Sequence, residues 1–435
     1  MRVSSPSPRV ERGEGGQRPD EGPCHRPSTS VLLDSPLVRR WRILLPALGA
    51  ALLAAAVAFI CSKAIPREAF LSTHDVWFEG DLRRVFANMV DRNSDHYRSK
   101  VHPLFSLVAY AMTWVPRRAL SLDPVLSVRI VGAAVAFAWG FLLYRVLHVI
   151  TRNVAAALLL TCTALASASF LFWATVPETY IFGSACVLFA LLVTLKPSEG
   201  RVTGAIASTL AFTLTNVMAG LAAAVVTLPW RRALQAAANA LCIVVILWGV
   251  QKYVIPSTQF FIGDKEEKDY MFRLDGERVA SVARSFVVTS MVMPTPAHET
   301  RYYQPEAILF TQHAPVSGCA AIVAWLALLL LGILGLRDAA DVRALRIALL
   351  LTLAGQFALH VVYGEETFLY SLHFMPLLVL LAAFAFRTPF RAVAFGLTAA
   401  LLLTAALNNV QQFNDARTFA ARPAHHQTRA SHPSP

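Results

Sequence analysis

Apolar blocks of about 17 to 25 residues recur along this chain, at 44–60, 125–143, 154–173 and 319–336 among other places. No other feature restricts its fold as strongly. As helices rising 1.5 Å per residue, such blocks match the roughly 30 Å of hydrocarbon in a bilayer. With no water there to satisfy the backbone, each block must close its own hydrogen bonds, so each is expected to be an α-helix. A composition of 56% hydrophobic against 15% charged residues excludes an ordinary soluble domain of this length.

The formal net charge of +12 would point to nucleic acid in a soluble protein. Here the cations sit in short loops beside apolar blocks, which is the signature of cytoplasmic loops and argues against nucleic acid. Six cysteines are scattered singly, mostly within apolar blocks, with no CxxC pair and no His/Cys spacing suited to zinc. Residues 1–38, rich in Ser, Pro, Gly and Arg, read as a disordered cytoplasmic N-terminus, 39–410 as the transmembrane domain and 411–435 as a flexible tail. Arg39, Arg40 and Arg42 precede the first block, which lacks a cleavage site and is expected to remain as an anchor.

Segment 104–115, bracketed by Pro103 and Pro116, is too short to span comfortably and reads as re-entrant or interfacial. With it kept outside, the expected spans are the first block and 125–144, 154–175, 179–195, 202–215, 217–229, 233–252, 317–336, 344–362, 367–386 and 390–410, an all-α bundle of about 11 helices. This count puts Arg145/Arg152, Lys196/Arg201, Arg231/Arg232, Arg337/Arg343/Arg346 and Arg387/Arg391 on the side of the N-terminus. The outer side receives 63–124, 176–179, 253–316 and 363–367, where acids, histidines and aromatics collect. A bacterial inner membrane with the N-terminus in the cytoplasm is the expected location.

Chemistry is therefore sought in the outer loops. In the first, Gly80-Asp81 opens a helical pattern with Leu82, Val85, Phe86 and Met89 on one face, which places Asp81 as an N-cap near the bilayer surface. His102-Pro103 begins the short apolar segment. Pro177-Glu178 lies at an outer turn with apolar flanks, where an acid is costly to hold. Gln356, His360 and Tyr363, then Glu366, Tyr370 and His373, form polar stripes on two successive helices that meet at an outer turn. In the second large loop Arg273, Arg284, His298 and Arg301 are cations that could meet a phosphate. The structural alternatives are a plain cap at Asp81, an ordinary helix start at Glu178, interhelical hydrogen bonds for the stripes and a solvated loop for the arginines.

Taken together, an acid opening a helix in a long first outer loop (Gly80-Asp81, with His74-Asp75 before it), His102-Pro103-Leu104 some twenty residues later and Pro177-Glu178 at the second outer turn resemble the GT-C superfamily of polyprenyl-phosphate-dependent glycosyltransferases, which includes protein O-mannosyltransferases and aminoarabinose transferases. The resemblance covers about residues 40–200. The chain differs from better-known members in lacking a clear Asp-Glu pair in the first loop and a large C-terminal soluble domain.

The resemblance implies transfer of a sugar from a lipid-linked donor to a glycan, lipid or protein acceptor. In that reading Asp81 is the base and Asp75 its alternative, while Glu178 orients the acceptor or helps hold a divalent cation (Mg or Mn). Substrate contacts fall to His102, Arg84, Glu366, Tyr370, His373 and Arg301. The rival is a transporter or flippase-like protein of envelope glycan assembly, which would need polar groups near both membrane faces.

Overall fold

Helices follow the apolar blocks, but their ends are set by capping and by prolines. The computed structural model describes residues 36–71, 77–78, 80–261, 271–273, 275–301, 304–310, 315–364 and 366–421. The chain divides into residues 1–44, of which only the start of the first helix is described, and a compact unit 45–435.

The first helix, α1 (Pro36–Ala64), leads to a short α2 (Arg67–Leu71). Then come α3 (Leu82–Val90) and α4 (Phe105–Ala119). Helix α5 (Pro124–Thr151) starts with Asp123 accepting from the amides of Val125 and Leu126, with Pro124 at its first position. Arg67 ties the end of α1 to this start through an ion pair with Asp123 at 3.1 Å.

The expected span 154–175 is broken into α6 (Val154–Leu165) and α7 (Ala168–Trp173). Ser167 caps α7 by accepting from Phe170 N. The freed backbone groups are taken up by distant residues: Asn409 Nδ2 donates to Ala166 O at 2.8 Å, Ala168 N donates to Met291 O and Ser169 N to Ser290 O. A broken helix at membrane depth is tolerated when neighbours re-satisfy its backbone in this way.

The chain continues with α8 (Tyr180–Val193), α9 (Glu199–Phe212), α10 (Val217–Thr227) and α11 (Trp230–Val254). The second large loop carries α12 (Gly276–Arg284) and an antiparallel ribbon of β1 (Pro296–Arg301) and β2 (Gln304–Phe310), with Pro296 paired to Phe310 and Arg301 to Gln304. Prolines 296 and 305 remove the amides a helix would need there. The last helices are α13 (Val316–Gly335), α14 (Arg343–Val362), α15 (Ser371–Ala383) and α16 (Arg391–Ala420). Helix α16 runs to Ala420, past the expected end at 410, and packs Asn408, Asn409 and Gln412 inside.

Among the described residues, seven helical segments are long and apolar enough to cross a membrane: Ile43–Ala64, Pro124–Thr151, Trp230–Val254, Val316–Asp338, Ala340–Val362, Thr367–Arg387 and Arg391–Ala420. The chain is thus a helical integral membrane protein by length and composition. Of these segments Thr367–Arg387 is 89% buried, so it forms the centre around which the others pack. Helix α4 is tied at both ends: Leu104 N donates to Ala211 O at one, and Arg117 reaches Val90 O at the other.

Candidate functional site

The start of α3 is fixed by an aromatic cluster. Trp77 is fully buried and donates from Nε1 to Phe172 O at 3.0 Å, and Phe78, at φ 52°, packs edge-on against Phe172, Trp173 and Phe368. Trp173 in turn donates to Phe368 O. First loop, α7 and the turn before α15 are therefore one aromatic unit, and Asp81 stands at its edge. Gly80 keeps this corner uncrowded, since a Cβ there would lie 2.9 Å from Leu82 Cδ1 and 3.1 Å from Trp77 O.

Asp81 does not cap α3 with its side chain, contrary to the sequence expectation. Its carboxylate is drawn away by two arginines: Oδ1 accepts from Arg84 Nη1 at 2.8 Å and Oδ2 faces Arg98 Nη2 at 3.2 Å. Asp81 lines a narrow cleft with Arg98, His102, Glu178 and Tyr180. Glu178 is buried, and its Oε2 accepts from Thr179 N at 3.2 Å.

Arg98, His102 and Tyr180 are also walls of an adjoining cavity of about 190 Å³. Its other polar walls include Thr213, Thr215 and Tyr363, and also Gln356, His360, Tyr370 and His373, which the last two turns of α14 and the first turns leading into α15 bring together. Arg278 of α12 pins this end of α14 by donating to His360 O and Gly364 O. Gly183 makes the convergence possible: a Cβ there would lie 2.7 Å from Asn216 Nδ2 and 2.8 Å from His373 Nε2. Gln356 Nε2 donates to Asn216 Oδ1 at 2.9 Å, whereas Gln356 Oε1, both ring nitrogens of His360 and Nε2 of His373 are buried with no protein partner. A buried polar atom left unpaired costs about 1–3 kcal/mol. The cavity is therefore built for a polar occupant.

The electrostatics separate two roles. Burial opposes the charge of Arg98, but Asp81, helped by neighbouring tyrosines, more than restores it and raises its pKa, so it is a permanent cation. His102 is the reverse: burial and the Arg98 guanidinium outweigh a hydrogen bond to Phe212 O and push it down to about 3. Its Nδ1–H donates to that carbonyl at 2.7 Å, which leaves Nε2 as a neutral acceptor beside Thr179 Oγ1.

This depression has a sign that can be measured. An unfolded histidine takes up a proton near pH 6.5 while folded His102 waits until about 3, so its share of stability is complete above pH 6.5 and is lost on acidification towards 3. The slope is at most about 1.4 kcal/mol per pH unit. Thermal unfolding of the detergent-solubilised protein between pH 7 and 4 should fall more steeply for wild type than for His102→Gln. Parallel slopes would contradict the assignment.

The other sequence candidates divide. Tyr370 and His373 line the cavity, Arg84 touches Asp81 from outside it, and Glu366 sits at the turn before Tyr370 without lining either space. Arg273 and Arg284 are exposed and apart from both linings. Asp75 and the side chain of Arg301 lie outside the described residues. Arg98, Asn216 and Gly183 were not anticipated, although the basic, aromatic run Tyr97-Arg98-Ser99-Lys100 just before His102-Pro103 could have signalled Arg98.

Both Asp81 oxygens are engaged by arginines, and among the described residues no group of three His, Cys, Asp or Glu could hold a metal. Compared with protein-family models, curated proteins and solved structures, the chain matches none.

Proposed function

We propose that this chain is a membrane glycosyltransferase that moves a sugar from a polyprenyl-phosphate-linked donor to an acceptor hydroxyl at the outer membrane face, as its resemblance to the GT-C superfamily implies. The observation that carries this reading is Arg98, which stands on the wall common to two adjoining spaces and is paired with Asp81, a wall of the narrower one. The acceptor oxygen attacks the anomeric carbon, the bond from that carbon to the phosphate oxygen breaks, and the phosphate leaves with the electron pair. Asp81 takes the acceptor proton, and Arg98 swings from it to the leaving phosphate. The donors and acceptors of His102, Gln356, His360 and His373 suit the hydroxyls of a sugar. Glu178 orients the acceptor.

The eleven-crossing topology belongs to the same reading. Helices α8 and α9, at 14 residues each, are short for a span, yet each has one end beside the site, at Tyr180 and Thr213, and the other in a basic cavity, at Lys196 and Arg201. In a background without native cysteines, Arg118→Cys should be labelled only from outside and Lys196→Cys only from the cytoplasm. Labelling of both from one side would break the assignment.

The transporter reading draws support from the presence of a charged cavity at that second end. It is disfavoured because the two cavities share no lining residue and α8 between them is largely apolar and buried. The deciding experiment is release of polyprenyl phosphate from a panel of polyprenyl-phosphate hexoses and pentoses by purified protein in proteoliposomes. Glu178→Gln should reduce release to background while leaving the protein folded. Undiminished turnover in that variant would demote Glu178 to a helix-start residue, and no release from any donor by wild type would remove the proposal.

A further inference from the structure

At the end of the bundle opposite this site, the last turns of α5 and α8, the first turn of α9 and the residues just before α14 line an open cavity of about 690 Å³. Its walls are apolar, with Phe189 and Leu192 of α8 prominent, while Arg145, Arg152, Lys196 and Arg201 stand around it with one carboxylate, Asp341. That carboxylate is already neutralised. Arg387 Nη1 meets its Oδ1 at 3.0 Å and Arg152 Nη2 its Oδ2 at 2.6 Å. Among the described residues, Arg145, Lys196 and Arg201 have no carboxylate within ion-pair distance.

Part of this charge serves the C-terminal ends of α5 and α8: Arg387 donates to Val149 O and Ile150 O, and Arg201 Nη1 donates to Lys196 O at 3.0 Å. Arg145, Lys196 and Arg201 still carry three positive charges with no carboxylate at ion-pair distance among the described residues, more than two helix ends require. We propose that the cavity seats the headgroup of an anionic phospholipid, with its phosphate among Arg145, Lys196 and Arg201 and its acyl chains against Phe189 and Leu192. A charged rim above an apolar wall fits an anion that arrives tied to hydrocarbon, and basic pockets between spanning helices recognise such headgroups. The site is independent of the sugar-transfer reading, since it shares no residue with the cavities around Asp81.

Native mass spectrometry of the full chain tests this, with equimolar phosphatidylglycerol and phosphatidylcholine of identical acyl chains offered in detergent and glycerol 3-phosphate as a soluble competitor. Wild type should retain phosphatidylglycerol preferentially, and each of Arg145→Gln, Lys196→Gln and Arg201→Gln should lower that preference about fivefold. The charge-keeping Arg145→Lys should preserve it, which separates lost charge from lost folding. Equal retention of the two lipids by wild type, or an unchanged preference in the glutamine variants, overturns the proposal. Displacement by an equimolar amount of glycerol 3-phosphate also overturns it, in favour of a soluble phosphate.

Discussion

Asp81→Asn should lower transfer by a factor of about 10² to 10⁴, the worth of a positioned general base, while donor affinity stays near wild type. Asparagine keeps a carbonyl for one of the two arginines but cannot accept a proton at neutral pH. The fold should survive, because the side chain makes no cap to α3 and its ion pairs are partly exposed, with Asp81 at 20%, Arg98 at 26% and Arg84 at 37%. Such pairs contribute about 1 kcal/mol or less. The measurement is single-turnover sugar transfer beside donor binding. A variant that transfers at the wild-type rate would remove Asp81 from the chemistry and turn attention to Asp75.

Arg98→Ala should be nearly as damaging, by about 10² to 10³ in turnover, because removing one preorganised donor from a developing anion costs on that scale. Unlike Asp81→Asn, it should also weaken donor binding, since the guanidinium meets a phosphate present in both ground and transition states. Arg98→Lys should recover part of the binding and less of the rate, as an ammonium supplies charge without the forked geometry. The alternative is that Arg98 serves only to hold Asp81 in place. Loss of rate with donor affinity unchanged, in both variants, would favour that alternative.

The sequence made the helical bundle legible because segment length and loop charge act locally. It also singled out Asp81, His102, Glu178, Tyr370 and His373, which line the two adjoining spaces, because each sits at a helix terminus or an i, i+4 position where a polar residue stands out against apolar neighbours. Arg98 was hidden because a cation in an outer loop is ordinary until the turn and helix between them bring Asp81 to face it. Gly183 was hidden because its significance lies in what crowds it, Asn216 and His373, from two other elements. The break at Ala166 was illegible for a similar reason: no proline or glycine marks it, and the side chain that makes it tolerable stands 243 positions away.

That distant side chain imposes an order of assembly. Asn409 bonds to Ala166 O, Met291 O and Met293 N, and Asn408 to Met293 O, so the last helix supplies the partners for backbone groups made much earlier in synthesis. Until α16 has entered the bilayer and docked, the bend between α6 and α7 lacks its lock, and with it the aromatic unit that aims Asp81. A ribosome-bound chain that stops short of residue 409 can insert its earlier helices yet cannot complete the site, which makes maturation of the site a late event in biogenesis.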